Sequence, residues 1–205
     1  MEASFLPPKH LTGFGSDKLI GYYAIDKKLS IKILSSLGKE EASFGVFPSE
    51  YKNFIYRFEA GGLVVDKYKN IYQMNVSSPE IYKYNKEGKL IKIFDNYSKR
   101  FRYLQKDLSD DPISIINETK NLKDISLAER LFLLNEKTLL IKLRHKNNFG
   151  ILLLNLEGKL LHEHEFELKD NLVCAKNNYL IFIKNQQVAK DSIYVNPILI
   201  IYKLK

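Results

Sequence analysis

Apolar residues along this chain gather in short runs, each bounded by Asn, Asp, Gly or Lys. They lie at 31–34, 62–65, 71–74, 81–84, 90–94, 130–134, 138–143, 151–154, 160–166, 172–175, 179–183 and 197–202. Runs this short with such punctuation predict β-strands and tight turns. Most lack strict alternation, which predicts strands covered on both faces. The punctuation itself repeats. Gly38, Gly88 and Gly158 each follow one run and precede a lysine and a second run. The last two share the phrase Asn-x-Glu-Gly-Lys-Leu, 70 residues apart. Glycine supplies the positive φ of a tight hairpin, and an Asn just before it bonds back onto the turn. Three hairpins of one grammar predict an all-β repeat protein with units of about 40–50 residues and one long insertion.

Another pair of short strands stands upstream of the later hairpins. In the second unit these are 62–65 and 71–74, joined by a turn at 66–70. In the third they are 130–134 and 138–143, joined at Asn135-Glu-Lys. A fourth unit has 172–175, a turn at 176–178, 179–183 and 197–202. The expected units are 11–48, 54–98, 128–168 and 170–205, four β-propeller blades of short antiparallel strands, incomplete or open relative to a six-bladed ring. Between 117 and 143 two readings compete. Leu122, Ile125, Leu127, Leu131 and Leu134 also fit one helix face, with Asp124 or Ser126 as cap. The turn at 135–137 favours strands after Arg130, leaving room for a short helical piece within 118–129. The long polar segments 45–60 and 95–127 hold most of the arginines and read as extended inter-blade loops.

Composition sharpens this picture. The 205 residues are 45% hydrophobic and 27% charged, an ordinary globular balance, and the aromatics are all Tyr and Phe, which suit sheet. The net charge of +8 comes almost entirely from lysines spread through the predicted turns. Nucleic-acid readers favour arginine forks and a gathered patch, so nucleic acid is not the expected partner. Cys174, the sole cysteine, excludes an intrachain disulfide and a cysteine zinc site, and its apolar neighbours predict a buried structural thiol. No apolar run reaches the ~18 residues of a membrane-spanning helix. Residues 1–10 carry neither a basic n-region nor an apolar h-region, so taken literally they predict a cytoplasmic chain.

Candidate chemistry is sparse. His162 and His164 stand two apart, so on a strand both rings share a face where a metal would sit, but no third ligand is placed by the sequence. Asp107, Asp110 and Asp111 lack calcium-loop spacing and read as loop solubility. No Gly-x-Ser-x-Gly exists, and Gly13-Phe-Gly15 and Gly61-Gly62 lack the rest of a phosphate loop. No catalytic residue, metal or cofactor is therefore assigned. What remains is the rim where propeller loops gather, at 75–79, 144–149, 185–196 and the two insertions. Arg57, Arg100, Arg102, Tyr103, Arg144 and His145 fall there as a basic, aromatic-bearing surface for an unknown protein or a small acidic ligand.

The second unit carries a further signal in Asp66, Asn70-Ile71-Tyr72, Ile81-Tyr-Lys-Tyr-Asn85 and Gly88-Lys89, half of which returns in the third at 155–160. This phrase resembles the NHL-like and TolB-like six-bladed β-propellers. Asn85 and Asn155 stand where that family often has Asp, which preserves the turn chemistry. The wider arrangement resembles the C-terminal part of uncharacterised six-bladed propeller proteins of Bacteroidetes. The resemblance implies a periplasmic or lipoprotein location if residues are missing upstream. It implies six blades where four are found, which leaves a piece of a larger ring, an open or four-bladed ring, or self-association through open blade edges. The function that follows is a non-enzymatic ligand- or protein-binding or scaffold module. The alternatives are a lactonase-like or lyase-like propeller enzyme with a metal in the central channel, and electrostatic nucleic-acid binding through the basic surface.

Overall fold

Each of the three Gly-centred reversals closes a hairpin. The computed structural model describes residues 10–22, 31–45, 61–75, 80–95, 98, 101, 126–145, 148–167, 170–184 and 198–204. Gly38, Gly88 and Gly158 adopt φ of 78°, 81° and 86°, the left-handed region that a side chain resists. Their amides donate to the carbonyls of Ser35, Asn85 and Asn155 at 2.9, 3.0 and 3.0 Å. The Asn85 and Asn155 side-chain oxygens each accept two backbone amides, from Glu87 and Lys89 and from Glu157 and Lys159. In the first hairpin the Ser35 hydroxyl accepts the Lys39 amide at 3.2 Å. A register shift recurs at one place in all three, between Ile33 and Leu34, Lys83 and Tyr84, and Leu153 and Leu154. The repeat is therefore a repeat of geometry as well as of letters.

Fifteen strands among the described residues form four antiparallel sheets. The first holds β1 (His10–Gly13), β2 (Lys18–Tyr22), β3 (Ile31–Ser35) and β4 (Glu40–Phe44). The second holds β5 (Gly62–Val65), β6 (Ile71–Met74), β7 (Ile81–Tyr84) and β8 (Leu90–Phe94). The third holds β9 (Ser126–Asn135), β10 (Thr138–His145), β11 (Asn148–Asn155) and β12 (Leu160–Glu167). The fourth holds β13 (Asp170–Lys176), β14 (Tyr179–Lys184) and β15 (Leu199–Lys203). Within each sheet, neighbours in space are neighbours in sequence, and the first strand of each packs beside the first strand of the next, β1 by β5, β5 by β9 and β9 by β13. The fold is all-β, four small sheets arranged as the blades of a four-bladed β-propeller.

Two apolar clusters fill the spaces between blades. Tyr72, Met74, Ile81 and Phe94 of the second blade meet Leu131, Leu139, Ile141, Leu152 and Leu154 of the third. On its other face the third blade presents Leu134, Leu140, Phe149 and Ile151 to Leu172, Leu180 and Phe182 of the fourth. Double coverage explains the unbroken apolar runs of β10 and β11, since both alternating sets of side chains are inside. The strand β9 starts at Ser126, ahead of the Arg130 start the sequence favours. Ser126, Leu127 and Ala128 are buried as strand residues, so 126–129 do not adopt the helical alternative; 118–125 lie outside the described residues.

The turn glycines also set the spacing between blades. A Cβ on Gly88 would come within 2.5 Å of the Phe44 ring, and one on Gly158 within 2.5 Å of the Phe94 ring. Phe44 and Phe94 end the outermost strands of the first and second blades. Each lies against the turn of the blade that follows, where only a bare backbone leaves room. Lys83 and Lys92 reinforce the second joint by donating to the Leu156 and Glu157 carbonyls at 3.3 and 3.0 Å.

Candidate functional site

Antiparallel pairing arranges the third blade in rows of side chains that cross all four strands on the face turned to the second blade. One row is Leu131, Ile141, Leu152 and Glu163. The next towards the strand ends is Ala128, Leu143, Gly150 and Glu165. The last described row runs Ser126, His145 and Asn148. The apolar inter-blade core thus gives way to a polar rim within two rows, and the outer strand contributes carboxylates throughout. At that transition lies a cavity of about 370 Å³, bordered by Phe101, which follows the second blade. Among the described residues its lining is Leu143, Leu152 and Phe101 on the apolar side and Ser126, His145, Asn148, Glu163 and Glu165 on the polar side, completed by Phe149, Gly150 and His164 of β11 and β12. No lysine or arginine is among these lining residues.

Gly150 sits at the middle of the cavity's own row, between Leu143 and Glu165. The space there does not demand glycine. A Cβ would meet the His164 carbonyl oxygen at 3.4 Å and the Leu143 side chain at 3.8 Å, ordinary contacts, and its φ is not positive. Glycine inside a strand weakens it and often marks a close approach by another group. Here it leaves the volume empty that a side chain would fill.

The polar groups of the rim are held in place by one another. Glu163 accepts the Ser98 hydroxyl at 2.8 Å, from the segment after the second blade. Asn148 donates its side-chain amide to Glu165 at 2.9 Å. The His145 Nδ1 lies 3.4 Å from the Ser126 hydroxyl, which fixes the ring at the cavity mouth. His162 and His164 have their rings stacked with centroids 6.1 Å apart, and no group of three or more metal-ligating side chains occurs among the described residues.

Two of the six residues the sequence put forward are among the described residues, and of these His145 lines the cavity and Arg144 does not. Arg144 alternates to the opposite face, where its Nε lies 2.8 Å from Glu129. Glu129 also holds Lys142 at 2.8 Å, and Lys142 donates to Asn171 of the fourth blade at 2.7 Å. Arg57, Arg100, Arg102 and Tyr103 lie outside the described residues, as do Asp107, Asp110 and Asp111. Sequence reasoning passed over Glu163, Glu165 and Gly150. The available signal was a glycine inside an apolar strand run, Phe149-Gly-Ile-Leu.

A second polar cluster lies inside the second blade and serves the fold. Asp66 is buried and its carboxylate accepts the Tyr68 and Asn70 amides at 2.8 Å, the Asn70 side chain at 2.8 Å and the Tyr72 hydroxyl at 3.1 Å. Burial first, and the Asp66 carboxylate second, push the Tyr72 phenol far above its ordinary pKa of 10.0. Fully buried Gln73 accepts the Tyr84 hydroxyl at 3.0 Å and donates to Asn75 at 3.3 Å. Asp66, Asn70, Tyr72, Gln73 and Tyr84 thus pair buried polar atoms with one another or with the backbone, as buried polar groups in a sheet generally do.

No protein-family model matches the sequence, and no curated protein matches it either. Solved structures do match in fold. One is a member of the DUF4221 family from Bacteroides vulgatus, with a TM-score of 0.60 and 10% identity over 94% of this chain and 63% of that one. Another is a protein from Bacteroides fragilis, named as a candidate exported protein, with a TM-score of 0.53 and 9% identity over 87% of this chain and 54% of that one. The chain therefore spans less than two-thirds of the length of either.

Proposed function

We propose that this chain is a non-enzymatic binding module of propeller type whose ligand occupies the cavity between the second and third blades. The observation that carries this reading is Gly150. Neither backbone conformation nor neighbouring atoms require a glycine there, yet it opens a site with an apolar floor and a hydrogen-bonding rim. Concave sites with a few convergent polar groups are where small ligands bind. The test uses benzyl alcohol as probe, its ring suited to Phe101 and Leu143 and its hydroxyl to the rim. Amide shifts in NMR titration are expected at Gly150, His145 and Glu163. Gly150→Leu fills the space and is expected to abolish those shifts without loss of thermal stability. Shifts that map elsewhere, or that survive Gly150→Leu, sink the proposal.

The six-bladed TolB-like and NHL-like type belongs to this proposal too. Its support is the turn grammar, beside a fold neighbour of which this chain covers 63%. A periplasmic location is likewise proposed, supported by the name of the Bacteroides fragilis neighbour. The competing reading, a propeller enzyme with a channel metal, is tested by metal analysis of the purified protein: stoichiometric calcium or zinc would displace the binding-module reading.

A further inference from the structure

We infer, resting on the cavity reading above, that the ligand is a small organic amine, its ammonium group on Glu163 and its apolar body on Phe101, Leu143 and Leu152. Glu163 stands in the cavity's polar wall, and its hydrogen-bond partner is the neutral Ser98 hydroxyl through Oε1 at 2.8 Å. A carboxylate offers about four lone-pair positions, so one hydroxyl leaves accepting capacity for a further donor. Glu165 adds a second carboxylate one row nearer the rim. Lysines and arginines supply the chain's net charge of +8, but among the described residues none of them lines this space. The described wall of the cavity is thus acidic on a basic protein. An anion entering it meets two carboxylates, whereas an ammonium meets charge-assisted acceptors, which are about twice as strong as neutral ones. The floor adds selectivity of its own. Phe101 and the two leucines offer nothing to a hydrated inorganic ion but favour a hydrocarbon or ring attached to the charge, and the face of an aromatic ring attracts a nearby cation.

The experiment compares three probes of one shape on the full chain by NMR titration at neutral pH: benzylamine, benzyl alcohol and benzoate. Benzylamine is expected to bind about tenfold more tightly than benzyl alcohol, a difference of about 1.4 kcal/mol, and benzoate more weakly than either. Glu163→Gln keeps the shape and an acceptor for Ser98. It is expected to reduce benzylamine affinity about tenfold and leave benzyl alcohol unchanged, a split that a merely structural role for Glu163 does not produce. Equal affinity of benzylamine and benzyl alcohol, or an unchanged benzylamine affinity in Glu163→Gln, overturns the amine inference while the cavity reading stands. Absence of binding by all three probes overturns both.

Discussion

A methyl group on Gly158 meets two obstacles, a backbone φ of 86° and the Phe94 ring at 2.5 Å. On Gly38 it meets only the first, because nothing lies within 4 Å. Placing an L side chain in the left-handed region costs about 1–2 kcal/mol, and overpacking adds about 1–3 kcal/mol. Gly158→Ala is therefore expected to destabilise by about 2–5 kcal/mol and Gly38→Ala by about 1–2 kcal/mol, read from urea denaturation midpoints. Equal losses would mean that Phe94 does not rest on the turn. Tyr72 makes a prediction in pH. Its folded pKa is raised above the unfolded value near 10.0, so its contribution is fully present below pH 10 and declines as pH rises through the folded value. Stability is expected to fall above pH 10 more steeply in the native sequence than in Tyr72→Phe, which has no phenol to ionise.

At the level of elements, the bulge in β9 explains a charge buried in β10. Lys142 is 5% exposed in the middle of an apolar strand, and Glu129, beside the register shift between Lys142 and Leu143, reaches it. Removing one partner of a buried pair leaves an uncompensated charge, at a cost of about 3 kcal/mol. Glu129→Gln is expected to lose about that much, whereas Lys142→Met is expected to be near neutral by thermal denaturation. The hairpins were legible in the sequence because their causes are local: a glycine, an Asn two or three residues before it, and apolar flanks. The pairing partners of Lys142 were not, because a bulge sets which residues oppose one another and no single run reveals it. The cavity was illegible for a related reason. Its wall is made of rows crossing four strands, and Glu163 and Glu165 look like solvated alternation until the register sets them beside Leu152 and Gly150. His145 was within reach because it falls just after a predicted strand, in a predicted rim loop.

For the molecule as a whole, coverage decides which parts open last. The third blade is packed on both faces by separate apolar clusters, and β10 and β11 are its two central strands, paired on both edges. The fourth blade has three described strands, and β15 ends it with Leu199, Ile201 and Tyr202 each more than half exposed. Local opening requires loss of fewer buried contacts at an edge strand than at a doubly covered centre. Amide exchange in heavy water is therefore expected to be slowest in β10 and β11 and fast along the outer edge of β15. The reverse order would contradict the radial arrangement, because it would require β15 to be the buried strand. Protein concentration separates two causes of protection at that edge. An apolar edge strand is a template for pairing with another chain, so protection of β15 that grows with concentration reports association between copies, and protection independent of concentration reports cover from within one chain.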